Sequence, residues 1–314
     1  MTFSFKLSRL PVSQWGILTS MLLILCCSGC NTNKPAISEE LTVGVVSYGE
    51  ETISAEKYER FQNYLGERTQ ALVQLEPTYN ELQAVEQVHS NHWEIVFAPP
   101  GLAAIAISEE NYIPLFALQG ISSTERSLIV VRQDSPIQTL TDLSNQTIAL
   151  GQPGSAAGYY LPLYDLYGLT LAEIRFAPTP KTLLEWISRG EVAAGALAER
   201  DYNTYRRASE TPLRVLHTSR WIPPGVVLVS PTVEPALQRQ IQQAMSEAPS
   251  DIAADAGYVP AANLPSYTQF IGLVSKVRPI ETQIRQKPAV LTIVPSPLQS
   301  SPQPNAQPDA APNL

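Results

Sequence analysis

The chain has 314 residues, of which 44% are apolar and 16% are charged, a composition typical of a folded globular protein long enough for two domains. Its net charge of −8 and the lack of any Lys/Arg cluster argue against a nucleic-acid-binding role, which depends on clustered cations. Three His and three Cys are too few for multi-ligand zinc sites or iron–sulfur clusters, so we expect no metal and no cofactor.

Residues 1–29 have the pattern of a secretory signal peptide. Lys6 and Arg9 precede an uncharged stretch, Trp15–Cys27, whose 13 residues are too few to span a membrane. The segment CSGC at 27–30 resembles the lipobox of bacterial lipoproteins, although Leu is usual at its first position. This resemblance implies that Cys30 is lipidated and becomes the new N-terminus. An ordinary signal peptide or an uncleaved anchor is the alternative.

The cysteine positions agree with this interpretation. All three, at 26, 27 and 30, lie in or next to the leader, so the mature chain is expected to have no disulfide and no thiol nucleophile. We therefore expect an extracytoplasmic protein that is anchored by lipid to a bacterial membrane, on the periplasmic face, with residues 30–40 as a polar tether.

The other end of the chain is rich in proline. Residues 281–314 are predicted to form a disordered tail, since 295–314 contains six Pro and one charged residue, Asp309. This tail is expected either to stay solvated or to bind a partner that reads Pro-rich segments.

Between the two ends, short apolar strands alternate with amphipathic helices. The expected elements, in chain order, are strand 41–47, helix 54–66, strand 71–75, helix 80–89, strand 94–98, strand 127–132, strand 147–150, helix 155–167, strand 173–177, helix 182–189, strand 193–197, strand 225–230, helix 235–247 and helix 267–277.

This order predicts an α/β fold of two lobes, each a mostly parallel sheet flanked by helices, joined by two crossing strands that act as a hinge. The first lobe is assigned to residues 41–125 and 225–280, and the second to residues 126–224. Because ligands bind beyond the carboxyl ends of strands in such sheets, both lobes are expected to face one cleft.

The segment Gly154–Tyr159 is a candidate anion site within that cleft. It lies between a predicted strand and a predicted helix, where unpaired backbone N–H groups and the positive end of the helix dipole attract anions. Ser155 adds a hydroxyl donor, and Gly158 permits close approach of a ligand. The alternative is that Ser155 merely caps its helix.

Six segments follow one another in an order and at a spacing that resemble the phosphate-, phosphite- and phosphonate-binding proteins of bacterial ABC importers, within the two-lobed periplasmic-binding-protein superfamily. The resemblance covers residues 41–276. The segments are Thr42–Tyr48, EIVFAPP at 94–100, SLIVVRQDSPIQTLTDL at 127–143, GSAAGYYLP at 154–162, GEVAAGA at 190–196 and IPPG at 222–225.

The resemblance implies a monomeric, lipid-anchored solute-binding protein, not an enzyme, that captures a small phosphorus oxyanion by hinge closure and docks on an inner-membrane ABC permease. The runner-up function is a sensor or scaffold lipoprotein of the same fold that binds another ligand or a protein partner. The implied ligand site comprises Tyr48, Pro100, Arg126, Ser155, Ala156, Ala157, Gly158 and Tyr159.

The sequence departs from the family at four side chains that select aminophosphonates. Two loop hydroxyls are replaced by Ala156 and Ala157, a ligand-contacting His is replaced within 179–181, and a carboxylate by Ala193. These losses argue against tight aminophosphonate binding.

An aromatic residue of the family is replaced by Arg126. This guanidinium could grip an anion bidentately; the alternatives are an exposed Arg at the hinge or a pair with Glu125.

Two further motifs are not expected to carry chemistry. His89 and His92 lie near Glu94, but the predicted helix ends between the two His, which argues against a metal site. Ser54 and Lys57 match a motif of penicillin-recognising enzymes, yet the companion motifs are missing from the chain. We expect Ser54 to cap a helix instead.

Overall fold

The computed structural model describes residues 40–46, 55–119, 125–209 and 211–293. The predicted leader with Cys30, residues 31–39 of the tether, Tyr48, Ser54 and residues 294–314 lie outside these ranges. Among the described residues, no helix combines the length and the apolar character that crossing a membrane requires.

Strands and helices alternate along most of the described chain. The strands are β1 (Glu40–Val46), β2 (Leu72–Thr78), β3 (Ile95–Ala98), β4 (Ile113–Leu118), β5 (Glu125–Arg132), β6 (Thr147–Leu150), β7 (Thr170–Leu171), β8 (Glu173–Phe176), β9 (Ala194–Ala198), β10 (Leu213–Ile222), β11 (Val226–Val229), β12 (Tyr258–Val259) and β13 (Ala289–Val290).

The helices are mostly short. They are α1 (Ala55–Thr69), α2 (Glu81–His89), α3 (Pro100–Glu109), α4 (Leu161–Asp165), α5 (Pro180–Ser188), α6 (Glu199–Tyr205), α7 (Pro235–Ser246), α8 (Ser250–Ala256) and α9 (Thr268–Val277). Single helical turns lie at Leu140–Leu143, Ala156–Tyr160, Arg206–Ala208, Arg278–Ile280 and Gln283–Arg285.

The predicted two-lobed α/β fold is confirmed. One lobe contains a six-stranded sheet in the order β12-β4-β11-β3-β1-β2, and the other a five-stranded sheet in the order β10-β5-β9-β6-β8. The strands β5 and β11, which follow the chain's crossings between lobes, pair antiparallel with their neighbours. The sheets are therefore mixed rather than mostly parallel: parallel pairing is limited to β2-β1-β3 and β8-β6-β9.

Close packing of Trp93 fixes the centre of the first sheet. A Cβ at Gly44 of β1 would lie 2.1 Å from the Trp93 ring, so a residue without a side chain is required there. The indole Nε1 donates to Glu76 of β2 at 2.8 Å, and the Tyr112 hydroxyl donates to the Trp93 carbonyl, also at 2.8 Å. Burial raises the pKa of Tyr112 to about 12.

A single apolar core runs through both lobes. It includes Leu102 and Ile105 of α3 in the first lobe, Ile148 and Leu150 of β6 in the second, and Phe270 of α9. Two smaller cores lie on the outer faces, one under α1, α7 and α8 and the other under α5 and α6. The lobes are thus joined by packed side chains as well as by the chain itself.

The chain also crosses between the lobes a third time, after α9. This helix packs against α3 of the first lobe and α4 of the second. The following residues enter the second lobe, where β13 pairs antiparallel with β7 and Lys287 Nζ lies 2.8 Å from Glu173 Oε1. The buried side chains of this segment are Ile280, Ile284, Ala289 and Leu291.

This differs from the sequence-based prediction, which placed residues 281–314 in a disordered tail. Residues 281–293 instead form part of the packed second lobe. Ile284 is the one large apolar residue in the polar stretch 281–287, and the apolar run Ala289–Leu291 is short, so the pattern alone does not predict burial; these residues become buried because the chain after α9 pairs with β7.

Truncation of Leu291 tests whether this segment belongs to the cooperative fold. Leu291→Ala is expected to lower the free energy of unfolding by about 2–5 kcal/mol, because it leaves a cavity in the shared core. Chemical denaturation measures this change. Ile293→Ala, at a side chain that is 55% exposed, is the matched control and should change the free energy of unfolding by less than about 0.5 kcal/mol. Equal effects of the two substitutions would contradict the conclusion that residues 281–293 belong to the cooperative fold.

Candidate ligand-binding cleft

A cavity of about 780 Å³ lies between the lobes. Residues 79–82, where β2 leads into α2, contribute the wall from the first lobe. The second lobe contributes the chain beyond the carboxyl ends of three strands, at 151–153 after β6, 177–181 after β8 and 196–198 at the end of β9. This is the position expected for a ligand site in an α/β sheet.

Two helices direct their N-termini towards the cavity, one from each lobe. Asn80 caps α2, and its side chain accepts from the N–H groups of Leu82 at 3.0 Å and Gln83 at 3.3 Å. Thr179 caps α5 and accepts from Thr182 N–H at 3.1 Å. The positive ends of both helix dipoles therefore face the same space, which favours an anion.

The predicted anion loop is a π-helical turn, Ala156–Tyr160, and part of it lines the cavity. Ser155 Oγ accepts from Gly158 N–H at 3.0 Å, so Ser155 acts as the N-cap that one interpretation of the sequence assigned to it. A Cβ at Gly158 would lie 3.1 Å from Gly151 Cα, so a larger residue would fit only with a small shift of the backbone. Ser155, Ala157 and Gly158 border the cavity. The Ala157 carbonyl is held by Ser127 Oγ at 2.6 Å.

Charged side chains of both signs line the cavity. Lys181 and Arg200 contribute positive charge, and Glu81 and Asp201 negative charge. Lys181 is exposed and forms no ion pair with any residue that the structure describes, whereas Arg200 Nε lies 3.9 Å from Asp201 Oδ1. Glu81 is only 5% exposed. Lys181 is thus the cation best placed to meet an incoming anion.

The lobes touch directly beside the cavity. Pro100 is the buried first residue of α3, and a Cβ at the next residue, Gly101, would lie 1.8 Å from the Gly154 carbonyl oxygen. Ala156 of the adjoining turn is buried as well. Pro100 and Ala156 therefore lie at the contact between the lobes rather than on the described cavity wall.

Tyr159 is also buried rather than exposed to the cavity. Its ring packs at 5.1 Å from that of Tyr160 and 6.0 Å from that of Phe176. Burial, together with the nearby negative charge of Glu281, raises the pKa of Tyr159 well above its usual value. Tyr159 thus stays neutral, and it packs between its own turn, Ala156–Tyr160, and the segment after α9 that contains Glu281.

Arg126 lies in a salt bridge. Its Nε and Nη2 donate to the two carboxylate oxygens of Glu199 at 3.0 and 3.1 Å, and its guanidinium stacks 4.4 Å from the Trp221 ring centroid. The sequence suggested Glu125 as an alternative partner, but Glu125 accepts from the Arg200 N–H instead. The bidentate geometry predicted for an anion is here satisfied by Glu199.

Two histidines singled out in the sequence contact separate carboxylates. His89 Nε2 lies 3.2 Å from Glu109 Oε2, and His92 Nε2 lies 3.1 Å from Glu76 Oε1. Within the described residues, no group of three or more His, Cys, Asp or Glu side chains is arranged to hold a metal ion.

Sequence reasoning missed part of the cavity. Tyr79, Asn80 and Glu81 line it, yet they come from the first lobe and reach the second-lobe loops only after the lobes pack. One signal was present: Asn80 begins a predicted helix a short turn after the predicted strand 71–75, and Ser155 follows the predicted strand 147–150 at the same spacing. The sequence analysis included Lys181 only in the segment 179–181, which replaces a ligand-contacting His of the family, and did not predict it as a ligand contact.

Comparisons with known proteins agree with the two-lobed fold. Residues 43–269 match the family model described as "ABC transporter, phosphonate, periplasmic substrate-binding protein". No curated protein matches the chain by sequence.

Several solved structures are similar in fold. XAC2383 from Xanthomonas citri, bound to ATP, superposes with a TM-score of 0.61 at 18% identity, covering 77% of this chain and 98% of its own. PhnD1 from Prochlorococcus marinus, in complex with methylphosphonate, superposes with a TM-score of 0.58 at 16% identity. The match covers 76% of this chain and 98% of PhnD1. The binding protein PA3383 of a Pseudomonas aeruginosa phosphonate transporter superposes with a TM-score of 0.52 at 14% identity. The match covers 70% of this chain and 80% of PA3383.

The contact between the lobes can be tested at Gly154. Its φ is +102°, and an added Cβ would lie 2.8 Å from Glu81 Cβ across the cleft. Gly168 has a φ of +103° with open space around it, so it is a matched control for backbone strain alone. Gly168→Ala should lower the free energy of unfolding by about 1–2 kcal/mol. Gly154→Ala should lower it by about 1–3 kcal/mol more. Equal losses on chemical denaturation would mean that the lobes do not meet tightly at this point.

Proposed function

Because the chain belongs to the family of periplasmic substrate-binding proteins of phosphonate ABC transporters, we propose that it captures a phosphorus oxyanion (phosphate, phosphite or a phosphonate) in the cleft between its lobes. In this proposal the lobes close around the anion by a hinge motion, and the closed form delivers it to the membrane permease. The family is the binding component of a transporter, not an enzyme.

The observation that carries the proposal is the arrangement of positive groups around one cavity. The N-termini of α2 and α5 lie on opposite walls, and Lys181 and the turn that begins at Ser155 border the same space. An oxyanion at this position would accept a charge-assisted hydrogen bond from Lys181 and would lie near the positive ends of both helix dipoles.

The roles of the predicted site residues follow from this placement. Ser155, Ala157 and Gly158 border the cavity and are proposed to contact the ligand; Gly158 N–H would donate to it only by leaving Ser155 Oγ. Pro100, Ala156 and Tyr159 are proposed to shape the site through packing, without contacting the ligand. Arg126 would contact the ligand only if its salt bridge with Glu199 broke. Tyr48 remains a proposed contact from the sequence alone.

The alternative function, a sensor or scaffold of the same fold, also has an observation in its favour. The core shared by the lobes and the third crossing after α9 oppose wide opening, because separation would expose buried apolar side chains to water. A protein held closed in this way would serve as a fixed surface for a partner rather than as a shuttle.

The lipid anchor is part of the same proposal. A binding protein that hands its ligand to a permease works best when confined near the membrane, and lipidation of Cys30 with residues 31–39 as a tether would provide that confinement.

A thermal-melt screen of the purified full-length protein tests ligand capture. One phosphorus oxyanion at a hundredfold excess over its Kd should stabilise the protein by about 2.7 kcal/mol, a rise in Tm of roughly 5–10 °C, while carboxylate controls give none. Lys181→Ala should weaken binding of that anion about tenfold or more. Lys287→Ala, at an exposed lysine paired with Glu173, should leave it unchanged. No shift with any phosphorus oxyanion would favour the sensor or scaffold instead.

Membrane fractionation tests the anchor. Cys30→Ser should move the protein from the membrane fraction to the soluble fraction, since the acyl chains supply the affinity for the bilayer. Cys26→Ser, which lies just outside the CSGC segment, is the control and should remain with the membrane. If both variants stay in the membrane fraction, the chain is held there by an uncleaved N-terminal segment.

A further inference from the structure

We infer that the cleft takes a phosphorus oxyanion carrying a bulky, partly apolar organic group, rather than a bare or methyl-substituted anion. The inference rests on the proposed function and narrows its substrate class. It is carried by the size of the cavity and by exposed apolar side chains on the first-lobe wall, whereas Lys181 and the turn at Ser155 lie on the second lobe.

In this conformation the cavity is much larger than a simple oxyanion. At about 30 Å³ for each water in the liquid, its 780 Å³ correspond to roughly 25 water molecules. Methylphosphonate has about five non-hydrogen atoms and would leave most of that volume filled with water. Cavities of about 300–1,000 Å³ typically enclose drug-sized organic ligands and bury most of their surface.

The wall from the first lobe offers an apolar surface. Tyr79 is 60% exposed and Leu82 is 47% exposed, and both border the cavity. A small oxyanion held at the opposite wall has no apolar group with which to cover them. An aromatic or aliphatic substituent would remove this surface from water and would stack on the Tyr79 ring, so it would add affinity.

Both walls carry a helix N-terminus, but they differ in their side chains, and this difference would orient such a ligand. Lys181 and the turn at Ser155 belong to the second lobe, whereas Tyr79 and Leu82 belong to the first. The anionic end of the ligand would face the second lobe and its organic end the first. The organic group would thereby bridge the lobes.

A matched pair of probes tests this inference by isothermal titration calorimetry on the full-length protein. Methylphosphonate and phenylphosphonate share the same head group, and benzoate carries the aryl group without phosphorus. Phenylphosphonate is expected to bind at least tenfold more tightly than methylphosphonate, and benzoate to bind much more weakly than either.

Substitutions at the apolar wall provide a second measurement. Tyr79→Ala and Leu82→Ala should each weaken phenylphosphonate binding about three- to tenfold and leave methylphosphonate binding unchanged. Leu72→Ala is the matched control, because Leu72 is 50% exposed at the other end of β2 and does not border the cavity. It should change neither affinity.

The outcomes separate this inference from the function on which it rests. Methylphosphonate binding as tightly as phenylphosphonate, or equal loss for both probes at Tyr79, would overturn the bulky-ligand inference and leave the capture of an oxyanion intact. Benzoate binding as tightly as phenylphosphonate, or no binding of any phosphorus compound, would overturn both.

Discussion

The constraint on which the rest of the structure depends is the apolar core shared by the two lobes. Side chains from α3, β6 and α9 belong to one buried cluster, so neither sheet completes its own inner face without the other. Burying one large apolar side chain contributes about 1.5–3 kcal/mol, and such residues lie on both sides of the contact. The relative position of the lobes, and hence the shape of the cleft, is set by packing rather than by the crossing strands alone.

The third crossing extends this constraint to the C-terminal part of the chain. Arg278 donates to both carboxylate oxygens of Glu109 in the first lobe, at 3.0 Å each, and to Glu281 at 3.1 Å. Burial raises the pKa of Glu281, and the neighbouring Arg278 offsets part of that effect. The segment then pairs with β7 in the second lobe. Three connections between the lobes restrict their relative motion more than two would.

Much of this fold could be predicted from the sequence, because strands such as β6 and amphipathic helices such as α2 have clear periodic patterns. Helix α3 was missed since it is buried on nearly all sides, and a continuous apolar sequence carries no helical period. The order of residues 281–293 was missed because it depends on a groove formed by other elements. For the site, the loop at Ser155 was predictable from local chemistry, whereas Tyr79 and Glu81 join it only through the packing of the lobes.

The balance of charge in the cleft decides how an anion can be held there. The chain carries a net charge of −8, and Glu81 and Asp201 add negative charge at the cavity itself, so the protein as a whole does not attract anions. Charges separated by more than about 8–10 Å are screened in physiological salt, which confines the useful attraction to groups on the cavity wall. The ends of α2 and α5 and Lys181 act within that range. Affinity therefore depends on short-range contacts formed after the ligand enters, and differences between ligands are expected in the rate of release rather than the rate of association.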